Sequence, residues 1–190
     1  NRFQQNLGCE TARATKGTKF LGPGNLAKAR VHIARTEMEE VLDACINGLQ
    51  LLDVKVPRKA GNIGVFKEFL RTQWMLRGKS QEDLVNLPLW EGPEGKYMGE
   101  LLYLSLHPTY VAYPALYGVF CLKALQVTLK RGANANAYLG FSTYGIFLGV
   151  GFNQFEKTYQ YLQTGIRISE RQGEFDSTLY TSMAFSKSFG

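Results

Sequence analysis

The most regular apolar pattern in the chain lies in residues 155–171, where apolar side chains recur at spacings of four, three and four. They are Phe155, Tyr159, Leu162 and Ile166. Charged and amide side chains fill most of the other positions, so the segment predicts an amphipathic helix. A glycine-rich apolar segment precedes it at 134–150. We expect the two segments to form a helical hairpin with a turn at 151–153.

The same pattern occurs earlier in the chain, at 38–49. Its apolar positions are Met38, Leu42, Cys45 and Leu49. When the two segments are aligned without a gap, Gly48 falls on Gly165. A repeated helix with one apolar face is typical of helical hairpins that stack on one another, because a single hairpin cannot bury its own apolar face. The repeat therefore predicts an all-α fold built from stacked antiparallel hairpins.

Helix start and stop signals divide the rest of the chain into further helices. They are predicted at about 26–35, 37–52, 64–77, 81–86, 94–107, 113–131 and 175–186. The apolar rhythm at 64–77 includes Phe66, Phe69, Leu70 and Trp74. Ser80 and Asp83 predict a capping box, and the pair His107-Pro108 is expected to end its helix. No run of residues alternates in the manner of a strand.

The net charge of +6 is confined to the first 35 residues, which hold seven basic side chains and one acid. Residues 36–190 hold fifteen side chains of each sign. We therefore predict a basic arm or loop at 1–35 and a helical-repeat domain at 36–190. Because the helical domain has no excess of positive charge, no nucleic-acid partner is expected.

The chain lacks the side-chain spacings that catalysis or metal binding requires. His32 and His107 are its two histidines, and no cysteine or histidine pair has the short spacing of a zinc site. No nucleophile motif accompanies them. We therefore predict no catalytic, cofactor-binding or metal-binding residue and no enzymatic activity in this segment. The three cysteines lie far apart, and we expect Cys45 and Cys121 to be buried free thiols in a reducing, cytoplasmic compartment.

Two windows without charged side chains, 101–122 and 132–155, are each long enough to cross a bilayer. The second contains Gly145 and Gly149, at a spacing that transmembrane helix dimers use. Both windows are rich in polar residues for a lipid environment, and close packing between helices of one chain accounts for the glycines equally well. Packing within a helical domain is the preferred interpretation. A membrane-associated or organellar structural subunit is the alternative.

Aromatic side chains are abundant, and helical spacing assigns most of them to contacts between helices. Aromatic residues outside the apolar faces are better candidates for binding a peptide or a helix of another protein. The candidate partner-binding residues are Tyr161, Tyr144, Arg167 and Lys157. The expected partner is a protein.

The segment QFEKTYQYLQTGIRI resembles the second helix of a tetratricopeptide repeat (TPR). Phe155 stands at the aromatic position of that repeat and Gly165 at its small position, whereas Thr158 takes a position where the family has alanine. The two copies of the pattern lie 117 residues apart, which is not a multiple of the family's repeat of about 34 residues. The resemblance therefore implies irregular hairpins stacked as a TPR-like α-solenoid.

A longer resemblance covers roughly residues 37–175. It rests on the segments GLQLLDVKVPRK, FKEFLRTQWMLRGKSQEDLVNLP and LKALQVTLKRGANANAYLGFSTYGIFLG. They are similar to the helical region of very large signalling proteins, in which Ser/Thr-kinase-like and AAA-like (STAND) ATPase modules precede the helices and GAF and histidine-kinase or cyclase domains follow. The resemblance implies a non-catalytic sensor or scaffold segment that contacts a protein partner or a neighbouring ATPase or kinase domain. It carries over no catalytic residue, because the matching segments contain no nucleotide-binding or phospho-acceptor motif.

Overall fold

All regular secondary structure in the described part of the chain is helical. The computed structural model describes residues 22–134 and 136–173. Its helices are α1 (Gly22–Ala34), α2 (Met38–Leu51), α3 (Asn62–Leu76), α4 (Gln81–Val85), α5 (Pro93–Ala112), α6 (Pro114–Arg131), α7 (Ala137–Phe152) and α8 (Phe155–Arg171). Within these residues, strand-like pairing is limited to one isolated bridge between Leu89 and Ala133. The prediction of an all-α fold is confirmed.

Local sequence signals set several of the helix ends. Ser80 caps α4 through the predicted capping box: its hydroxyl accepts a hydrogen bond from the Asp83 amide at 3.2 Å, and its own amide donates to the Asp83 carboxylate at 2.8 Å. Pro93 and Pro114 stand in the first turns of α5 and α6, where a backbone N–H has no partner within the helix. Gly132 follows α6 with a φ of +104°, a conformation that favours glycine.

Helix α5 differs from its predicted extent. The expected end at His107-Pro108 is wrong, because the helix continues through Pro108 for another turn. Pro108 leaves the Leu104 carbonyl without its intrahelical donor, and the Thr109 side chain donates to the Ser105 carbonyl at 2.7 Å and to the Leu106 carbonyl at 3.0 Å instead. Pro108 and Thr109 are both buried, and burial of a turn stabilises a helix more than local propensity does. The helix ends only before the next proline, which starts α6.

Each helix packs mainly on its neighbours along the chain. Helix α1 packs on α2, and α5 packs on both; α6 packs on α5 and α7, and α7 packs on α8. Helices α3 and α4 depart from this order, because α3 packs on α6 and α4 packs on α8. The described chain therefore contains three successive helix pairs, α1–α2, α5–α6 and α7–α8, with α3 and α4 laid against the later ones.

Helix α6 joins two apolar clusters. The first lies mainly among α1, α2, α5 and α6, and its fully buried members include Leu49, Met98, Leu101 and Phe120. The second joins α3, α4, α6, α7 and α8, and its members include Leu122, Leu125, Phe141 and Leu148. Helix α6 is therefore the element around which both parts of the core are built, and it holds α3 in place from one side.

Glycines let α7 pack closely on both of its neighbours. A Cβ atom at Gly140 would stand 2.9 Å from the Leu125 amide nitrogen of α6, and one at Gly149 would stand 2.7 Å from the Thr158 hydroxyl of α8. That hydroxyl donates a hydrogen bond to the Gly145 carbonyl at 2.8 Å, which is a physical reason for threonine where the TPR pattern has alanine. Gly145 and Gly149, the glycine pair of the uncharged window, therefore both lie against α8 of the same chain. Within the described residues, no helix is both long and apolar enough to span a bilayer.

The two glycines that align in the sequence repeat both stand at close helix contacts, but against different partners. A Cβ atom at Gly48 would be 2.8 Å from a methyl group of Leu101 in α5, the first helix of the next pair. A Cβ atom at Gly165 would be 3.0 Å from the Ser142 hydroxyl of α7, its own hairpin partner. The repeat therefore reflects one shared need, a small residue at a helix contact, in two different packing arrangements.

Two outcomes concern the chain start and the cysteines. Helix α1 buries Leu26 and Ala29 against the body, so the packed helices begin within the segment 1–35 that we predict as an arm. Residues 1–21 and the predicted helix at 175–186 lie outside the described residues. Cys45 and Cys121 are buried free thiols, as predicted, and burial raises the pKa of each to about 12.

Candidate functional site

Helix α3 carries apolar side chains on two faces. Its inner face turns toward α6 and includes the buried Thr72 and Leu76 and the half-buried Phe69. Its outer face exposes four large apolar residues at spacings of three, four and four: Ile63 is 87% exposed, Phe66 57%, Leu70 52% and Trp74 75%. This spacing places the four residues in one row along the helix. We call this row the outer stripe.

An aromatic groove continues the outer stripe. It is a cavity of about 370 Å³ between α3, the first turn of α6 and the end of α7, and Phe66 lines it. Phe69 stacks on Phe152 with ring centroids 4.7 Å apart, and Phe147 lies within 6 Å of both rings, at 5.9 and 5.8 Å. Contacts among the rings fix the walls of the groove. Because Phe66 belongs to both features, the outer stripe and the aromatic groove form one continuous apolar surface.

Positive charge borders the outer stripe on one side. Lys67 and Arg71 each follow a residue of the stripe in sequence, and both are exposed. Helical geometry therefore places them along the same edge of the stripe. The acid between them, Glu68, is turned away from this edge toward α6. A partner that complements this surface needs an apolar row with acidic side chains beside it.

Glu68 is held inside by a polar network between α3 and α6. Its carboxylate pairs with the Lys123 ammonium at 2.8 Å and accepts a hydrogen bond from the Gln126 amide at 3.0 Å. The Gln126 amide also donates to the Thr72 hydroxyl at 3.0 Å. Burial alone would raise the pKa of Glu68, but the hydrogen bonds and the positive charge of Lys123 and Arg71 lower it. The direct contacts of the carboxylate are therefore with Lys123 and Gln126 of α6, and its attraction to Arg71 acts without an ion pair among the described residues.

One predicted partner-binding residue, Tyr144, proves to be part of the core. Its side chain is fully buried, and its ring meets that of Tyr161 edge-on with centroids 4.9 Å apart. The Tyr144 hydroxyl accepts a hydrogen bond from the Gln73 amide of α3 at 2.7 Å, so the buried polar atom has a partner. Burial raises the pKa of Tyr144. Tyr144 thus ties α3 to α7, and its predicted role at a partner surface is corrected.

The other three predicted partner-binding residues lie on α8, outside the outer stripe. Tyr161 is half-buried and packs on the second core cluster. Arg167 is exposed and forms an ion pair with Glu82 of α4 at 2.8 Å. Lys157 is exposed. Arg167 therefore already has a role in holding α8 to α4, and the roles of Tyr161 and Lys157 in binding stay predictions.

The apolar spacing predicted at 64–77 includes residues from both faces of α3. Phe69 and Gln73 point toward α7, where Phe69 meets Phe147 and Gln73 meets Tyr144. Phe66, Leu70 and Trp74, from the same rhythm, are exposed. In the sequence, the outer stripe is the part of this rhythm at spacings of three, four and four, extended to Ile63, which precedes the predicted helix at 64–77. A helix that carries two apolar rows can bury both of them only if another element packs against each row.

A larger cavity, of about 640 Å³, lies beside the connection between α4 and α5. Trp90, Lys96, Arg171 and Gln172 are among its lining residues. Arg171 is held there by hydrogen bonds to the Val85 carbonyl at 2.6 Å and the Leu87 carbonyl at 2.5 Å. It therefore serves the packing of α8 on α4.

Among residues 22–134 and 136–173, no three His, Cys, Asp or Glu side chains form a group that could hold a metal ion. Comparisons of the chain with protein-family models, with curated proteins and with solved structures found no match.

Proposed function

We propose that this chain is a non-catalytic scaffold segment that docks an amphipathic, acid-flanked helix on the outer stripe and aromatic groove of α3. The observation that supports it is the row of four large exposed apolar residues on one helix face. Contiguous exposed apolar patches mark interaction sites. A helix bound in a groove is anchored by side chains at the same spacings of three and four that the outer stripe shows.

The charges around the outer stripe favour a particular kind of helix. Lys67 and Arg71 border the stripe, and the acid of α3 is engaged with α6. Complementary charge fixes the register and orientation of a partner more than its affinity. The proposed ligand therefore carries leucine-like side chains on one face and glutamate or aspartate next to them.

The arrangement of helices supports a TPR-like stack for this scaffold. Three successive pairs, α1–α2, α5–α6 and α7–α8, follow one another, as in repeat proteins that bury each pair against the next. Helices α3 and α4 interrupt the series and give it the irregular spacing that the sequence predicts.

The resemblance to helical regions of large signalling proteins indicates which kind of protein module could supply the docked helix. We propose that it belongs to a neighbouring ATPase or kinase module, or to a protein that regulates one. A search for a Walker A motif in any coding sequence upstream of this chain tests whether an ATPase module is its neighbour. Absence of the motif would remove the ATPase part of the proposal.

A synthetic peptide tests the docking surface directly. The peptide is as long as α3, with leucines along one face and glutamates beside them, and its binding to the chain is measured by isothermal titration calorimetry. We expect saturable one-to-one binding, and we expect Leu70→Glu to reduce the affinity at least tenfold because a charge then enters an apolar contact. A peptide with lysines in place of the glutamates should bind more weakly.

Val31→Glu is the matched control, because Val31 is an exposed apolar residue of α1 outside the outer stripe. It should leave peptide binding unchanged. Far-UV circular dichroism of both variants checks that the helices are retained. Absence of binding to the unmodified chain, or an equal loss in both variants, would overturn the proposal.

A further inference from the structure

A second cleft lies between α3 and the end of α6, and it differs in character from the aromatic groove. Its volume is about 210 Å³, and it shares no lining residue with the groove. Basic side chains from three elements line it: Lys55 from the α2–α3 connection, Arg71 from α3, and Lys123, Lys130 and Arg131 from α6. We call this cavity the basic cleft.

The basic cleft has a strong excess of positive charge. Five basic side chains face one acid, Asp53, which leaves a net charge of +4 among the lining residues. The carboxylate of Glu68, which pairs with Lys123, lowers the local sum to +3. The helical body as a whole has no excess of positive charge, so this concentration is a local feature of the fold.

Two of the five cations are already engaged by the protein. Lys123 is paired with Glu68 at 2.8 Å. Arg131 donates a hydrogen bond to the Leu52 carbonyl at 2.7 Å, and its guanidinium lies over the Trp90 ring at 5.4 Å from the centroid. These contacts tie the end of α6 to α2 and to the α4–α5 connection. The side chains of Lys123 and Arg131 are therefore held in position at the cleft by contacts within the protein.

The other three cations, Lys55, Arg71 and Lys130, are exposed at the cleft. In residues 22–134 and 136–173, no hydrogen bond or ion pair joins any of the three to a carboxylate. Bringing like charges together costs free energy that solvent screens only in part. The Glu68 network fixes α3 against α6, so the backbones that carry Arg71 and Lys130 are held near each other without help from a ligand.

Helix electrostatics explain only part of this arrangement. The dipole of α6 favours Lys130 and Arg131 in its last turn. It gives no reason for Lys55 or Arg71, which come from two other elements. Convergence of cations from three elements is what a site for a multiply charged anion requires.

We propose that the basic cleft binds a diphosphate group, either as inorganic pyrophosphate or as the diphosphate of a nucleotide. A single phosphate carries a charge of about −1.5 to −2 at neutral pH, so two linked phosphates match the local charge of +3 better than one. The cleft is smaller than pockets for drug-sized ligands, which begin near ~300 Å³. It therefore holds a compact anion, and the base of a nucleotide extends beyond it.

Titration of the complete chain with pyrophosphate at low ionic strength tests the proposal. We expect one-to-one binding that weakens as salt is added. Lys55→Gln and Lys130→Gln should each weaken it about tenfold, because each removes one charge-assisted contact. Lys157→Gln is the matched control, since Lys157 is an exposed lysine of α8 outside the cleft, and it should leave binding unchanged.

Further ligands distinguish the sources of the diphosphate. Orthophosphate should bind about tenfold more weakly than pyrophosphate, and adenosine should not bind. ADP that binds as tightly as pyrophosphate indicates that the diphosphate alone is recognised, and ADP that binds tenfold more tightly indicates a nucleotide. Failure of pyrophosphate to bind, equal binding of orthophosphate, or an equal loss in Lys157→Gln would overturn the proposal. Lys130→Gln should leave binding of the amphipathic peptide unchanged, so failure of one proposal is distinguishable from failure of the other.

Discussion

Helices α3 and α7 both carry large apolar side chains on more than one face, yet the fold lays more helices against α7 than against α3. Helix α7 contains no charged residue and packs on α6 and on α8. Helix α3 packs on α6 with its inner face and leaves its outer stripe exposed. The apolar character of a helix therefore does not by itself decide its burial. Burial depends on how many helices pack against it. Helix α3 carries two apolar rows, and its neighbours cover only the inner one.

The residues of the two helices suit these different uses. In α7, Gly140 and Gly149 stand where another side chain would collide with α6 or α8, so the backbones approach closely. The outer stripe of α3 instead presents Phe66 and Trp74, large side chains that anchor contacts between proteins. A Cβ atom at Gly64, the glycine of α3, would meet no atom within 4 Å, so this glycine makes no such close contact.

The largest difference between the two helices should appear when a leucine is truncated in each. Leu148 of α7 is fully buried, whereas Leu70 of α3 is half exposed. We expect Leu148→Ala to lower the free energy of unfolding by about 2–5 kcal/mol because it leaves a cavity. Leu70→Ala should change the free energy of unfolding by at most about 1 kcal/mol. Urea denaturation followed by circular dichroism measures both, and equal losses would show that the outer stripe is part of the stabilising core.

A smaller difference should separate two glycine substitutions. Gly140→Ala should destabilise the fold by about 1–3 kcal/mol, since the new methyl group meets backbone atoms of Leu125 that cannot move aside alone. Gly64→Ala meets nothing and should raise stability by up to about 1 kcal/mol through the better helix propensity of alanine. Thermal unfolding of the two variants measures the contrast. A stable Gly140→Ala protein would contradict the close contact between α6 and α7.

Much of the helical framework follows from local sequence, because local groups decide it. The Ser80–Asp83 capping box, and the prolines that start α5 and α6, act within one turn of the chain. The end predicted at Pro108 is wrong because Pro108 and Thr109 are buried, and the packing of this turn outweighs the hydrogen bond that proline removes. Packing can thus extend a helix past a helix breaker, which the propensity of proline alone does not reveal.

The candidate sites are harder to predict, because they depend on which elements meet. Tyr144 looks like a surface tyrosine until Gln73, 71 residues away, is found to donate to its hydroxyl. The basic cleft joins Lys55, Arg71 and Lys130, which are scattered in the sequence and converge only through the packing of α3 on α6. The outer stripe alone could be found locally, as a second helical row on α3.

The central claim, that the outer stripe of α3 is a binding surface, is tested most directly by ¹⁹F nuclear magnetic resonance. Incorporated 5-fluorotryptophan labels Trp74 and Trp90, the two tryptophans of the chain, and Trp74→Phe assigns the signals. Trp74 lies in the outer stripe, whereas Trp90 packs beneath Arg131. On addition of the acid-flanked amphipathic peptide, the Trp74 signal should shift saturably while the Trp90 signal stays in place. A shift of Trp90 alone, or no shift of either signal at saturating peptide, would contradict the account.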